Sequence, residues 1–179
     1  MPAFVALLRG VNVGKAKRVP MATWRAQLEA LGYTEVATLL NSGNAVFRAR
    51  SSSTRAHAEA IAAAIERGLK LSVPVVVKSA TELAAIAAAN PYAAAPDHSR
   101  LLVAYTQDAK SLAALAALAH LGSPPDEYFV GTHAAYVHCV GGILESKLAS
   151  AMLGKAGGTA TTRNWATTLK LLVLLEARA

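Results

Sequence analysis

Phe4-Val5-Ala6-Leu7-Leu8 sets five apolar residues in succession near the start of the chain. A strand with one wet face alternates apolar and polar residues, so an unbroken run predicts a central strand buried on both faces. The run ends at Arg9-Gly10 and passes into Val11-Asn12-Val13-Gly14-Lys15-Ala16-Lys17-Arg18, before Pro20 opens a helix. That strand delivers four cations, two glycines and an asparagine to one end of a sheet. Loops at strand ends are where a rigid scaffold displays function.

The order of elements narrows the architecture. Met21, Trp24, Leu28 and Leu31 recur at helical spacing before Gly32 ends the helix. Tyr33 to Leu40 reads as a strand, Asn41-Ser42-Gly43-Asn44 as a tight turn whose Asn and Gly tolerate positive φ, and Ala45 to Arg50 as the returning strand. A helix over about 54–67 turns Ala58, Ile61 and Ile65 inward, and Pro74 to Lys78 is a fourth strand. Ser79-Ala80-Thr81-Glu82 is a capping box opening a helix that ends at Asn90-Pro91. Leu101 to Thr106 begins the second round with a strand. Asp108 caps a helix carrying Leu112, Leu115 and Leu118, and a hairpin joins Tyr128–Val130 to Ala134–Val140. A helix over about 143–153, a strand at 159–163 and an Asn164-capped helix with Trp165, Leu169, Leu172 and Val173 inward complete it.

Both halves thus read β-α-β-β-α-β with a trailing helix. The predicted class is α+β: two ferredoxin-like (split β-α-β, alpha-beta plait) units with antiparallel sheets, the halves covering each other's open faces. Val77-Lys78-Ser79 and Thr162-Arg163-Asn164 each give a strand end, a cation and a helix cap, which supports a duplication. The expected division is 1–90, a linker at 91–99, and 100–179; a single doubly wound sheet is the lesser alternative.

Composition excludes several classes. No apolar run approaches the roughly 18 residues that span a bilayer. The start lacks a basic region before its apolar run, so no signal peptide is expected and the cytoplasm is the expected compartment. Cys139 is the only cysteine, which rules out an intrachain disulfide and any metal site with more than one thiolate. Eighteen Lys and Arg against 11 Asp and Glu give a net charge of +7. That charge favours anionic partners, although most of it is scattered along the chain.

Ala6-Leu7-Leu8-Arg9-Gly10-Val11-Asn12-Val13-Gly14, Asn41-Ser42-Gly43-Asn44-Ala45-Val46-Phe47, Ser146-Lys147-Leu148 and Thr161-Thr162-Arg163-Asn164-Trp165 resemble the motifs of the bacterial domain of unknown function 1697 family, in order and over almost the whole chain. The resemblance implies a duplicated ferredoxin-like fold and, by the family's name, no established activity. The family commonly has a second Gly where Lys15 stands, Gln where Asn41 stands, and Asn where Ala166 stands.

Split βαβ topology sorts the polar motifs into two candidate ligand-binding clusters. Arg9, Gly10, Asn12, Gly14 and Lys15 share one end of the first half with Asn41, Ser42 and Asn44. Gly141, Gly142, Ser146 and Lys147 share one end of the second with Thr162, Arg163 and Asn164. Glycines before helix starts, with free N–H groups and nearby cations, suit an anion. Neither stretch matches a Walker loop or a dinucleotide fingerprint. Each feature also has a purely structural account: turns for the glycines, a hairpin for Asn41–Asn44, a helix cap for Asn164. Trp24 and Trp165 read as core.

Catalytic signals are thinner. His133, His138 and Cys139 form the only local His/Cys grouping, and His138 and Cys139 point to opposite faces of a strand. No metal-ligand spacing appears and no cofactor is expected. Glu145, beside Ser146 and Lys147, is the best acid/base candidate. The expected function is binding of a phosphate-bearing small molecule or nucleic acid at these basic loops. A small-molecule enzyme in the same basic cleft and a structural or protein-interaction module are the alternatives, and the oligomeric state is open. Only one aromatic, Phe47, stands in the third strand, so stacking recognition of RNA is not expected. If net charge drives nucleic-acid binding, affinity for RNA and DNA oligomers falls steeply with added salt. No binding at low salt removes nucleic acid and leaves small anions.

Overall fold

The computed structural model describes residues 1–178. The first apolar run becomes β1 (Ala3–Leu8), with all six residues buried. It lies between β3 (Asn44–Arg48) and β4 (Val75–Ser79), antiparallel to both, and β2 (Thr34–Leu39) completes the order β2-β3-β1-β4. The sequence after residue 100 repeats the plan. Fully buried β5 (Leu101–Tyr105) lies between β7 (Ala134–His138) and β8 (Thr161–Asn164), with β6 (Glu127–Val130) outermost. Two separate four-stranded antiparallel sheets in ferredoxin-like order replace the single doubly wound alternative.

Helices α1 (Met21–Ala30) and α2 (Thr54–Leu69) pack on one face of the first sheet. Phe4, Ala6 and Leu8 of β1 meet Trp24 and Leu28 of α1 and Ile61 and Ile65 of α2 in one core. The period-2 strand and the 3.6-period helices thus present their apolar sets to each other. His57 joins that core: its Nε2 donates to the Ser51 carbonyl at 3.0 Å, since a carbonyl can only accept, and its Nδ1 pairs with the Tyr33 hydroxyl at 2.8 Å. In the second sheet, Leu102 and Ala104 of β5 meet Leu115 of α4 (Ala109–Ala116) and Leu148 and Met152 of α5 (Lys147–Leu153).

Each fourth strand runs straight into a further helix, α3 (Ala80–Ala88) after β4 and α6 (Trp165–Glu176) after β8. The chain divides into two compact units, one of residues 1–83 with the C-terminal residues from Leu171, the other of residues 84–170. The division falls within α3 and α6, in which Leu83, Ile86, Trp165 and Leu171 are buried.

Three local readings change. The positive φ values of the 40–44 turn fall on Leu40 (58°) and Gly43 (82°), and Asn44 already belongs to β3. A Cβ at Gly43 would sit 2.6 Å from Leu8 Cβ, so that position needs glycine for space as well as for φ. The helix expected from 143 starts at Lys147, because Ser146 Oγ accepts from the Ala149 N–H at 3.1 Å and resets the start after a short 3-10 turn, Ile143–Glu145. In α6, Val173 is 64% exposed, while Trp165, Thr168, Leu171 and Leu175 are buried. A helix this uniformly apolar carries no stripe from which its phase can be read. Its phase is instead fixed by Thr168, whose hydroxyl pairs with the buried Tyr105 hydroxyl at 2.6 Å.

Burial raises the pKa of all five tyrosines above the ordinary value of 10.0, with Tyr128 and Tyr136 pushed up to about 12. A raised folded-state pKa means that the unfolded chain releases the proton first, so stability is complete below pH 10 and declines as pH rises towards 12. Tyrosinate absorbance is expected to lag a model tyrosine above pH 10 and to rise together with loss of the folded circular-dichroism signal. A simple titration at the ordinary value, with the fold intact, contradicts this.

Candidate functional site

The β1–α1 loop is built around Asn12. Its backbone N–H donates to the Lys17 carbonyl at 3.1 Å, closing the loop on itself. Its side-chain Oδ1 accepts from the Val19 N–H at 2.9 Å, and its Nδ2 donates to the Val19 carbonyl at 2.9 Å and to the Asn41 carbonyl at 2.6 Å. Asn12 itself adopts φ 57°, a left-handed conformation that asparagine tolerates better than most residues. Buried Val11 and Val19 anchor the loop ends in the core, and Lys17 Nζ reaches the Ser72 carbonyl at 3.2 Å. The two loops that topology sent to one sheet end are therefore joined by a hydrogen bond.

Between them opens a cleft of about 270 Å³ lined by Asn12, Arg18, Val19, Pro20, Met21 and Asn41. Its floor is the start of α1. Side chains of Ser53, Ser79, Asp108, Ser146 and Asn164 accept first-turn N–H groups of the other five helices, whereas Pro20 gives α1 no side-chain cap. The N–H groups of that first turn carry the positive end of the helix dipole. The guanidinium of Arg18 and the carboxamide of Asn41 have no partner among the described residues, and neither has the Lys15 ammonium. The first 28 residues hold five cations and no acid.

The remaining first-half candidates lie outside the lining of this cleft. Asn44 is fully buried and donates to the Leu39 carbonyl and to Ser42 Oγ at 2.9 and 2.8 Å. Gly10 and Gly14 take φ 66° and 61° as turn residues in open space. Arg9 is half-buried, its backbone N–H on the Pro74 carbonyl at 3.0 Å, and burial lowers its pKa. Arg18 was outside the candidate set, although its place immediately before Val19-Pro20, where the chain enters α1, marks it as the cation nearest the helix start.

The second cluster disperses. Gly142, at φ 106°, donates its N–H to the Cys139 carbonyl at 2.9 Å, and Gly141 is exposed. Register places Leu101 opposite His138 and Leu102 opposite Asn164, so Gly141, Gly142 and Asn164 do lie at one sheet end. Arg163, however, is 7% exposed: its Nη1 donates to Thr161 Oγ1 and to the Thr162 carbonyl, both at 2.7 Å, and burial pushes its pKa down to about 10. Asn164 Oδ1 caps α6 through the Thr167 N–H at 2.9 Å. Ser146 and Lys147 instead line a separate open groove of about 490 Å³ with Glu145, Ser150 and Lys155. Ser146 is buried and already engaged as the cap of α5, so only Glu145 and Lys147 of that triplet face the groove uncommitted to helix capping. Among the described residues no three His, Cys, Asp or Glu side chains gather as metal ligands, and Cys139 is a buried thiol whose pKa burial pushes up. No helix there is long and apolar enough to cross a membrane.

Residues 1–136 match the profile of a family described as "Protein of unknown function (DUF1697)". The chain superposes on a conserved bacterial protein from Streptococcus pneumoniae with a TM-score of 0.81 and 20% sequence identity, covering 97% of this chain and 98% of that one. No curated protein matches.

Two substitutions separate support from display. Asn12→Ala strands the Val19 N–H and two carbonyls, and is expected to cost about 1–3 kcal/mol and to loosen the cleft. Arg163→Ala is likewise expected to lower stability by about 1–3 kcal/mol, because it removes a buried charged donor from Thr161 and Thr162. Chemical denaturation measures both; an unchanged Arg163→Ala midpoint shows that those bonds contribute nothing net.

Proposed function

The chain belongs to the DUF1697 family, and we propose that it binds a phosphate-bearing anionic ligand in the cleft at the start of α1. The observation that carries this reading is the company kept there: Arg18 and Asn41, without partners among the described residues, stand over a helix N-terminus with no side-chain cap. Uncapped first-turn N–H groups suit anions because they offer several donors aligned with the helix dipole. A guanidinium adds a forked pair of donors matched to phosphate oxygens. Lys15, Lys17 and Arg18 on an acid-free stretch raise the local potential that attracts such a ligand. Asn12 holds the walls before any ligand arrives, so little loop ordering opposes binding.

Titration with inorganic phosphate and pyrophosphate, followed by calorimetry and by thermal shift, tests the site. Arg18→Ala is expected to weaken binding by about tenfold or more, the effect of losing one charge-assisted pair, with the ligand-free melting temperature unchanged. Lys147→Ala is expected to leave binding intact. The opposite pattern moves the anion site to the Glu145–Lys155 groove, where the small-molecule enzyme reading also has its best acid and base. Absence of binding to either anion at low salt removes the anion-binding function.

A further inference from the structure

We infer that the sheet end beyond Leu8 docks on an anionic lipid surface, with Val13 and Leu40 as its apolar tips. This goes beyond the cleft at the start of α1 and does not depend on it, since it rests on what the loops present outwards. β1 and β2 finish at this end and β3 and β4 begin there, so segments 9–20, 40–43 and 70–74 emerge together. Hydrogen bonds tie the three into one face. The Leu8 N–H donates to the Gly43 carbonyl at 2.8 Å and the Arg9 N–H to the Pro74 carbonyl at 3.0 Å. Lys17 Nζ donates to the Ser72 carbonyl at 3.2 Å, and Asn12 Nδ2 to the Asn41 carbonyl at 2.6 Å.

Charge decides the sign of the partner. The three segments carry Arg9, Lys15, Lys17, Arg18 and Lys70 and no acid. Arg9 is half-buried and the other four are exposed. The last turn of α2, which leads into this end, adds Glu66 and Arg67, and these offset each other. An anionic leaflet attracts such a cluster within a Debye length, by roughly fivefold in affinity for each Lys or Arg near the surface.

Charge alone would suit nucleic acid equally, and the apolar tips separate the two. Val13 is 73% exposed and Leu40 is 55% exposed, and they adjoin Asn12 and Asn41, the residues whose hydrogen bond joins the two loops. Hydrophobics exposed singly are ordinary, but these two are held on bonded loops among cations. Apolar surface that enters the headgroup region, with cations around it to meet lipid phosphates, is the combination that binds an anionic membrane from one side. Leu40 also sits at φ 58°, a backbone that asparagine or glycine adopts at less cost. Its side chain therefore serves neither the turn nor the core. Single-stranded nucleic acid stacks its bases on aromatic platforms, and the three segments contain no aromatic residue.

Cosedimentation with vesicles of equal parts phosphatidylcholine and phosphatidylglycerol, and with vesicles of phosphatidylcholine alone, tests this. Binding is expected to the anionic vesicles only, and to weaken as salt is added. Leu40→Asn is expected to lower vesicle affinity about tenfold, the effect of losing one leucine from an apolar contact. Its melting temperature should not fall, because asparagine suits the left-handed backbone at that position. Lys15→Ala should lower vesicle affinity about fivefold. Absence of binding to anionic vesicles at low salt overturns the inference. Undiminished binding by the double variant Val13→Ser, Leu40→Asn overturns it as well, since charge would then be the only attraction. An RNA or DNA oligomer that binds tighter than the vesicles, and equally to wild type and Leu40→Asn, makes nucleic acid the partner instead. Titration with inorganic phosphate reads the cleft separately, so either reading can fail while the other stands.

Discussion

A strand buried on both faces must place its backbone N–H and C=O groups on neighbours along both edges, since no water reaches them. β1 and β5 both stand under this constraint, and the rest of each unit follows from it. The central strand takes an antiparallel partner on each side, one from the hairpin and one from the strand before the trailing helix. Antiparallel flanks bring the loops after β1 and before β3 to the same sheet end. That is why Asn12 can bond to Asn41 across 29 positions of sequence.

The duplication shows most clearly in register. Val5 is the third residue of β1 and pairs with Lys78; Val103 is the third residue of β5 and pairs with Arg163. Both cations are buried, and each is followed by the residue that caps the trailing helix, Ser79 or Asn164. The repeated strand–cation–cap motif in the sequence is thus architectural. The polar loops are not repeated in the same way. In the first unit they meet beyond the last residues of β1; in the second, Gly141, Gly142 and Asn164 lie beyond the first residues of β5 while Ser146 and Lys147 line a separate groove.

The fold was legible because its signals were strong and local: an unbroken apolar run, two hairpins, Gly and Pro breaks, and capping residues at Ser79, Asp108 and Asn164. Phase in α6 was not, since Leu169, Leu172 and Val173 look as apolar as the buried Leu171 and Leu175. Leu40 gave no sign of its left-handed backbone, because leucine does not advertise positive φ. The first candidate cluster was half legible. Topology brought the right loops together, but residue type alone could not separate Asn12, Asn44 and Asn164, engaged by the fold, from Asn41 with its open carboxamide. Arg163 shows the same limit: a cation at a strand exit reads as displayed until its hydrogen bonds are seen.

The closed ring of bonds around Asn12 also bears on timing. A loop that must fold over its guest makes capture wait on a rearrangement, whereas walls already in place leave capture to diffusion and release to the contacts themselves. With Asn12 tying Val19 and Asn41 together, the proposed anion site would be of the second kind. On the anion-binding proposal, residence time would be set by the side chains that touch the guest, and a surface substitution at Arg18 would retune it while the frame that presents it stays unaltered.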